Sequence, residues 1–251
     1  MKSNEKPSDN VRAVDRALEI LMAFSPNDTQ LSASELLKRV DLSRPTLYRL
    51  LKTLERNGFI NSSGEPQQFS LGPSIGYLSN IWTSNLDLAE IAQPMLQKLW
   101  METGETVALF THQGFNRVCM AELPSPNPLS FKRGIGYSEH VTVGASGRVI
   151  AANLPNPESY LNHKDAAKTD TKSFLESLAK VKAAGYAISK SELIKGAVAI
   201  AAPLFDSRNK VIGAIAVFGP SARIDDNLSK NYAELLQREA RNISTALKET
   251  H

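Results

Sequence analysis

Residues 41–60 read D-L-S-R-P-T-L-Y-R-L-L-K-T-L-E-R-N-G-F-I. Ser43 is a favourable helix N-cap, and Pro45 falls in the first turn, where its missing N–H costs little. Gly58 is a residue at which helices typically end. The stretch predicts a helix of about 14 residues with one apolar face. That face consists of leucines at i, i+3, i+4 and i+7, namely Leu47, Leu50, Leu51 and Leu54.

The opposite face of this helix is polar and basic. Such a face can meet phosphates and base edges in the major groove of DNA, so we interpret the stretch as the recognition helix of a winged helix-turn-helix. An ordinary amphipathic surface helix has the same pattern, and the flanking sequence has to decide between the two. The polar face carries Arg44, Thr46, Tyr48, Arg49, Lys52 and Arg56.

Two helices are predicted before the basic one. The first starts at Asn10, and the second opens at Ser32, which has the spacing of a capping box with Glu35. A turn of three residues then leads into the basic helix, which is the helix-turn-helix pattern. The apolar stripe predicted for the first helix comprises Val14, Leu18, Leu21 and Phe24.

A hairpin is predicted directly after the basic helix. Residues 59–61 and 68–71 read as its two strands, separated by a turn with glycine and proline. A hairpin in this position is the wing of a winged helix. Residues 10–72 therefore predict a winged helix-turn-helix DNA-binding domain, preceded by a disordered tail at residues 1–9.

The overall charge adds little to this hypothesis, whereas its distribution adds more. The chain has 251 residues, 42% of them hydrophobic and 22% charged, with a formal net charge of +3. That composition is typical of a globular protein with one large or two modest domains. Residues 38–56 hold six basic and two acidic side chains, so this segment is net +4 and the rest of the chain is net −1.

Several function classes are disfavoured. Cys119 is the single cysteine, which excludes an internal disulfide and makes a cysteine-rich zinc site improbable. The histidines, His112, His140, His163 and His251, lack the spacing of metal ligands, so we predict no metal and no cofactor. The sequence shows neither a signal peptide nor an apolar run of about 18 residues, which favours a cytoplasmic protein without a membrane partner.

The second half of the chain predicts a different architecture. Residues 73–86 read as a linker helix, and residues 87–102 as a helix that Pro94 should kink or split. The apolar residues then recur with the period of strands, and these strands are predicted to form hairpins flanked by helices. Residues 225–249 are predicted to form a long final helix. Together these elements predict an α+β domain with an antiparallel sheet over residues 87–251.

The chain resembles the IclR family of bacterial transcriptional regulators over nearly its whole length. The resemblance implies a winged helix-turn-helix, a linker helix that contributes to a dimer, and a GAF-like α/β effector-binding and oligomerisation domain. It also implies a homodimer or homotetramer on a palindrome-like double-stranded DNA operator. The stretches that carry it are V-R-A-V-D-R-A-L-E-I-L (11–21), residues 42–60, F-S-L-G-P-S-I (69–75), D-L-A-E-I-A-Q-P-M-L-Q-K-L (87–99), G-E-T-V-A-L (104–109), V-G-A-S-G-R-V-I-A-A (143–152) and A-I-A-V-F-G-P-S-A-R-I (214–224).

Residues near the N terminus of a recognition helix reach base edges most readily, which selects Arg44, Thr46 and Arg49. Arginine can donate two bonds to guanine, and threonine can contact a thymine methyl. The resemblance adds two positions outside this helix that can meet phosphates. The predicted DNA-binding set is Arg16 on the first helix, Ser32 at the cap of the second, and Ser43, Arg44, Thr46, Tyr48, Arg49 and Lys52 on the third.

Two features qualify this prediction. Arg49 could instead form a salt bridge with Glu55 or Asp15, since exposed ion pairs are common and weak. The turn of the wing, residues 62–66, contains no Arg or Lys and includes Glu65, so we expect only hydroxyl, amide or backbone contacts from it.

Residues 144–147, Gly-Ala-Ser-Gly, form a turn at a helix N terminus, where backbone N–H groups can hold a carboxylate. A plain tight turn fits the same residues, but the resemblance implies that this turn belongs to an effector pocket. His140 is expected at the surface, although it could instead border the pocket, and Cys119 is expected to be a buried, inert thiol. The resemblance implies the effector-binding set Ala145, Ser146, Ser189, Ala199, Ala216 and Phe218.

Five of these six side chains are small, and only two carry a hydroxyl, so the predicted lining is largely apolar and partly aromatic. It favours an aromatic or otherwise less polar organic acid over a very small polar one. Ala216 and Phe218 could also be simple core residues of a strand. The leading hypothesis is a DNA-binding transcriptional regulator whose binding to DNA responds to a small organic acid.

Two alternatives stay open. One is an enzyme in the C-terminal domain with a DNA-binding appendage, although paired carboxylates, metal spacing and a nucleophile elbow are missing from the sequence. The other is a DNA-binding oligomer without a ligand.

Overall fold

The computed structural model describes residues 11–25, 27–84 and 87–249. The predicted tail at residues 1–9 lies outside the described residues, as do the last two residues of the predicted linker helix. The chain divides into two compact units between residues 85 and 86. None of the helices described combines the length and the hydropathy that a membrane span requires.

The N-terminal unit is a winged helix-turn-helix, which confirms the predicted fold class. Its core is formed where the leucine face of the third helix packs on the first two helices and the sheet, with Leu47 and Leu51 buried and Leu50 partly buried. The elements are α1 (Arg12–Met22), β1 (Gln30–Ser32), α2 (Ala33–Arg39), α3 (Arg44–Arg56), β2 (Ile60–Ser63), β3 (Gln68–Leu71) and α4 (Pro73–Ser84).

Strand β1 was not predicted. It pairs antiparallel with β3, Leu31 opposite Phe69, so the wing is part of a three-stranded sheet in the order β1-β3-β2. A strand of three residues is too short for an alternating pattern to show. Its partner lies almost 40 residues further along the chain, so only the tertiary fold brings the two together.

The predicted apolar stripe of α1 is confirmed for Leu21 and Phe24, which pack against the core, and is wrong for Val14 and Leu18. Val14 and Leu18 are 54% and 53% exposed, whereas Ile20 is fully buried, with Ala17 and Leu21 packed around it. Ala17, Ile20 and Leu21 also share one helical face, so the sequence period allows either orientation. The packing of α1 against α3 decides which face turns inward.

The ends of α2 and α3 are built differently. At α2 the capping box is confirmed: the amide of Glu35 donates to Ser32 Oγ at 3.3 Å, and the amide of Ser32 donates to Glu35 Oε2 at 2.8 Å. At α3 Ser43 occupies the N-cap position, but its side chain makes no capping bond and pairs with Thr46 Oγ1 at 2.9 Å. The helix ends as predicted, because Gly58 adopts a φ of +72°.

The C-terminal unit is an α+β domain around a single antiparallel sheet, as predicted. Its first helix runs without a break through Pro94, so the expected split does not occur. The elements are α5 (Asp87–Thr103), β4 (Thr106–Gln113), β5 (Asn116–Leu123), β6 (Ser138–His140), α6 (Gly144–Ala151), a 3-10 helix (Pro157–Asn162), α7 (Thr171–Ala184), β7 (Ala187–Lys190), β8 (Ala197–Phe205), β9 (Val211–Pro220) and α8 (Asp226–Glu249).

The six strands of this sheet are ordered β6-β5-β4-β9-β8-β7. The central pair, β4 and β9, joins segments about 100 residues apart, with Ala108 opposite Ala216. Strand β6, which was not predicted, extends the sheet at the edge beside β5. Because side chains alternate along a strand, each inner strand buries residues on both faces of the sheet.

One face of the sheet carries α6 and the other carries α8. Helix α6 packs on β7, β8 and β9, next to a cluster of small and aromatic residues that includes Ala201, Ala214 and Phe218. The intervening residues, among them Ile200 and Ile215, are fully buried on the opposite face, where α8 packs against β8. Small side chains under α6 leave room for a cavity on its side of the sheet.

Candidate DNA-binding surface and ligand pocket

The polar face of α3 is exposed. Arg44, Arg49 and Lys52 are all exposed, and in the described part of the chain none of the three lies within ion-pair distance of a carboxylate. The guanidinium of Arg44 lies 6.0 Å from the ring centre of Tyr48. The basic side chains of this face are therefore free to bind an external anion.

The alternative for Arg49, a salt bridge with Glu55 or Asp15, does not occur among the described residues. Glu55 accepts a hydrogen bond from the Ser62 hydroxyl of β2, so it is directed toward the wing. Asp15 makes no ion pair with any described residue. The interpretation of Arg49 as a structural ion-pair residue has no support from this geometry.

The structure brings three of the predicted DNA-binding residues into one groove between α1 and α3, namely Arg16, Thr46 and Arg49. Ser43 is tied to this group through its bond to Thr46. Ser32 stands apart, and its hydroxyl is engaged by Glu35, with 2.7 Å between Ser32 Oγ and Glu35 Oε2. Seven of the eight predicted residues thus lie on α1 or at α3, and one lies at the start of α2.

All six residues predicted to bind the effector line one cavity of the C-terminal unit. The sheet register explains this, because Ser189 of β7 lies opposite Ala199 of β8, which in turn lies opposite Phe218 of β9. Ala145 and Ser146 of α6 cover the strands. The cavity volume is about 50 Å³, enough for only a few water molecules. We call this cavity the pocket.

The most buried charge in the pocket was not predicted from the sequence. Arg117 of β5 is 2% exposed, and its Nη1 donates to the carbonyl oxygens of His140 (2.7 Å) and Val143 (2.9 Å). Its Nε is buried without a hydrogen-bond partner among the described residues, and the guanidinium lies 5.8 Å from the ring centre of Phe110. Burial lowers the pKa of Arg117 to about 10, so the side chain stays charged at neutral pH.

A signal for Arg117 was present in the sequence. It lies two residues before Cys119, so the two side chains belong to the same, inward face of β5. An arginine at an inward position of an apolar strand is an uncommon choice. Other pocket residues that were missed include Phe110, Phe131, Arg133, Tyr137 and Glu192.

The N terminus of α6 already holds a carboxylate from the protein itself. Glu192 Oε1 accepts a hydrogen bond from the Gly144 amide at 2.9 Å. Its Oε2 accepts one from Arg148 Nη2, also at 2.9 Å, and the same nitrogen donates to the Ile188 carbonyl. The turn therefore does bind an anion, but that anion is supplied by the loop between β7 and β8.

The prediction for His140 is wrong, because this residue is 1% exposed. Its Nδ1 lies 2.8 Å from Thr142 Oγ1, and its ring stacks on that of His163 with 5.1 Å between the ring centres. Burial, followed by the neighbouring His163, lowers the pKa of His140. The short strand β6, which the sequence did not predict, is what carries His140 into the interior.

Cys119 is a fully buried free thiol, and burial raises its pKa to about 12. Because the thiolate is the reactive form, this cysteine is inert at neutral pH, as expected. Across the described residues, no group of three or more His, Cys, Asp or Glu side chains could hold a metal ion. The pocket is lined mainly by apolar side chains, together with two arginines, one glutamate, two serines and one tyrosine.

A winged helix with a free basic helix, followed by an α+β domain that encloses a pocket, defines the class of DNA-binding regulators with a ligand-binding domain. Comparison with known proteins identifies the family. Residues 13–64 match the IclR helix-turn-helix domain, and residues 81–245 match the family described as bacterial transcriptional regulator IclR C-terminal. The chain belongs to the IclR family of bacterial transcriptional regulators.

Individual relatives agree with this assignment. The chain is 27% identical over 245 residues to the HTH-type transcriptional regulator XynR of Escherichia coli K12. The aligned region covers 94% of this chain and 97% of XynR. The solved structure of Thermotoga maritima IclR has a TM-score of 0.75 at 22% identity, covering 95% of this chain and 100% of that one. An IclR homolog from Microbacterium hydrocarbonoxydans was solved with 4-hydroxybenzoate. Its structure has a TM-score of 0.77 at 21% identity, and the match covers 94% of this chain and 99% of that one.

Proposed function

We propose that the protein binds a specific operator through α3 and that a small organic acid in the pocket changes its affinity for that operator. The observation that carries this proposal is the combination of two cationic sites in one chain, neither of them ion-paired with a carboxylate among the described residues. One is the exposed basic face of α3, and the other is the buried Arg117 in the pocket. The first suits the phosphates and bases of DNA, and the second suits a small anion.

In this proposal Arg44, Thr46 and Arg49 read bases, because they lie in the first two turns of α3. Arg16 lines the same groove as Arg49 and can bind a phosphate beside the bases that α3 reads. Tyr48 and Lys52 extend the contact surface along α3. Ser32 and Ser43 contribute hydroxyl contacts only if their present bonds to Glu35 and Thr46 exchange for bonds to phosphate.

We propose a homodimer or homotetramer as the active form, working in the cytoplasm. One recognition helix makes few base contacts, and a symmetric dimer doubles them on a palindromic operator. The effector must bind the DNA-competent and DNA-incompetent arrangements of that dimer unequally, since equal affinity shifts no equilibrium.

The proposed effector is an organic acid with an apolar, aromatic body. The pocket's side chains are mainly alanine and aromatic, and its cations are Arg117 and Arg133. The 4-hydroxybenzoate bound by the Microbacterium homolog is an acid of this kind.

The DNA-binding half of the proposal is tested with Arg49→Ala. The probe is a duplex that the wild-type protein selects from a random 30-bp library, and the readout is its Kd in a gel shift. Loss of a bidentate arginine should raise Kd about 5- to 150-fold, which corresponds to about 1–3 kcal/mol. The control, Arg208→Ala, removes an exposed arginine from the turn after β8 and should leave Kd unchanged. An unchanged Kd for Arg49→Ala would remove Arg49 from the reading set.

The effector half is tested with the full chain and a broad panel of organic acids, from pyruvate to 4-hydroxybenzoate. An acid that raises the melting temperature should also change the Kd for the selected duplex, because ligand and DNA binding are linked. If no acid stabilises the protein, the alternative of a ligand-free DNA-binding oligomer replaces this proposal. Turnover of any panel member would instead support an enzyme.

A further inference from the structure

We propose that the Glu192 carboxylate occupies the position that the effector's carboxylate takes, so that an organic acid binds by displacing Glu192 from the N terminus of α6. This inference rests on the proposed function and deepens it, because it assigns Gly144 and Arg148 to the ligand's carboxylate. It also makes the loop of residues 191–196 the entrance of the pocket. Arg148 does not belong to the effector-binding set that the sequence predicted.

Glu192 fills an anion site that other residues build. Its Oε1 accepts the amide hydrogen of Gly144 at 2.9 Å, and its Oε2 accepts a guanidinium hydrogen of Arg148, also at 2.9 Å. Gly144 is the first residue of α6, and Arg148 lies one turn further along the same helix. A helix N terminus combined with an arginine is a usual arrangement for binding a carboxylate. We call the two contacts of Glu192 the latch.

A second cation lies against the same turn. A Cβ on Gly147 would come within 2.7 Å of Arg117 Nη1, so this guanidinium packs directly on the turn. Burial lowers the pKa of Arg117, and the negative charges of Glu139 and Glu192 oppose that shift. The buried Nε of Arg117 has no hydrogen-bond partner among the described residues. A ligand carboxylate in place of Glu192 would therefore meet two arginines and would preserve the balance of charge around Arg117.

The loop that carries Glu192 is also a wall of the pocket. Glu192, Leu193 and Ile194 all line the cavity, and a Cβ on Gly144 would lie 3.0 Å from Leu193 Cδ1. The cavity of about 50 Å³ is too small for an organic acid, so binding requires that part of the lining moves. Release of the latch frees the anion site and this wall together, and thereby supplies both the position for the carboxylate and room for the rest of the ligand.

The tip of this loop can move without disturbing the sheet. The base of the loop is closed by three hydrogen bonds, among Ser191, Ile194, Gly196 and Ala197. Apart from these, the hydrogen bonds that join residues 192–195 to other described residues come from Glu192 alone. The latch is therefore the polar connection that holds the wall against α6.

The exchange of one carboxylate for another explains why the ligand is an acid. An acid returns a negative charge to Arg148, whereas a neutral analogue would leave this partly buried cation without its counter-ion, which is unfavourable. Glu192 competes with every acid, so the apparent affinity is reduced to the fraction of molecules in which the latch is open. Removal of the Glu192 carboxylate should therefore raise the affinity for acids.

Calorimetry on the full-length protein tests this exchange with benzoate, 4-hydroxybenzoate, phenylacetate and pyruvate, each compared with its neutral primary amide. Glu192→Ala should raise the affinity for the acids at least tenfold and that for the amides less than twofold. Glu192→Gln should give a smaller gain, because glutamine still accepts the Gly144 amide hydrogen and loses only the ion pair. Glu176→Ala, on the exposed surface of α7, is the matched control and should change neither affinity.

Arg148→Gln separates the two functions of the anion site, because it opens the latch and also removes the ligand's partner. It should reduce the preference for acid over amide at least fivefold, both alone and combined with Glu192→Ala. A glutamate that only braced the fold would behave differently, since its removal would weaken acid binding or leave it unchanged.

The outcomes separate this inference from the proposed function. The inference is overturned if Glu192→Ala binds all four acids no more tightly than wild type does, or if acids and amides gain equally. It is also overturned if Arg148→Gln keeps the full preference for acid over amide. In each case the proposed function stands as long as an acid of the broad panel stabilises the protein and changes the Kd for the selected duplex. If no acid in the broad panel binds, both fail.

Discussion

Arg223 holds the buried carboxylate of Glu105 through two hydrogen bonds, from Nε to Oε1 at 2.6 Å and from Nη2 to Oε2 at 2.8 Å. Glu105 directly precedes β4 and Arg223 follows β9, so the pair fastens one end of the two central strands. Nη2 also donates to the Leu129 carbonyl at 2.9 Å, which ties in the loop after β5. The Glu105 side chain is 4% exposed and that of Arg223 is 32% exposed.

We therefore predict that Arg223→Ala destabilises the C-terminal unit by about 3 kcal/mol. This is the low end of the range for breaking a buried pair, because about a third of Arg223 already lies in solvent. Differential scanning calorimetry of the full chain measures the effect. Asp226→Asn breaks the exposed pair of Lys190 and Asp226 and should lower the melting temperature much less, because exposed ion pairs are weak. Equal effects of the two variants would contradict the role of the Glu105 pair.

Two glycines near the start of α4 should respond in opposite directions to alanine. A Cβ on Gly72 would lie 2.3 Å from the Gly58 carbonyl oxygen, whereas one on Gly76 meets nothing within 4 Å. Gly72→Ala should destabilise the N-terminal unit by about 1–3 kcal/mol, as overpacking usually does. Gly76→Ala should stabilise it by about 0.5–1 kcal/mol, because alanine is the better helix former.

Calorimetry of both glycine variants provides the readout, and the Arg223→Ala variant identifies which transition belongs to the C-terminal unit. The glycine variants should move the other transition. A melting temperature for Gly72→Ala at or above that of wild type would show that the backbone at Gly58 relaxes easily.

The stability of the C-terminal unit should fall as the pH falls below about 6.5. His140 has its pKa lowered in the folded state, mainly by burial and then by His163. Below its unfolded pKa of about 6.5 the unfolded chain binds more protons than the folded one, so stability is lost as the pH falls from there through the folded pKa. Above a pH of about 6.5, the contribution of His140 to stability is fully present.

Urea denaturation between pH 7.5 and 5 measures this dependence, and His140→Gln removes the titrating group while keeping a hydrogen-bonding side chain. The slope of stability against pH should be smaller in the variant. The same slope in both proteins would mean that other groups dominate the acid sensitivity.

The wing should gain affinity for DNA when it gains a positive charge. Gln67 is exposed beside β3, on a hairpin whose turn carries no Arg or Lys. Gln67→Lys should increase affinity for any duplex by a similar factor and steepen the plot of log affinity against log salt by about 0.9. Gln113→Lys, at the exposed end of β4, is the control of equal charge. A steeper slope for both variants would indicate a general charge effect and no contact by the wing.

Local pattern was sufficient to locate the main helices and most of the strands, but it did not show β1 or β6. The leucines of α3, the Ser32 capping box and the stop at Gly58 all depend on neighbours within four residues, so the sequence shows them directly. The pocket positions Ser189, Ala199 and Phe218 could also be named in advance, through the resemblance of long stretches to one family. Their spacing alone is equally compatible with ordinary core residues of a strand.

Tertiary structure decided the features that depend on distant partners. Strand β1 pairs with a segment nearly 40 residues away, His140 is buried by the edge strand β6, and α1 turns Ile20 inward although Val14 and Leu18 share an equally regular period. The chemistry of the pocket depends on such contacts too. Glu192 reaches Gly144 across 48 residues of chain. Whether a charge is exposed, paired or buried is a property of the assembled packing, and residue order along the chain does not determine it.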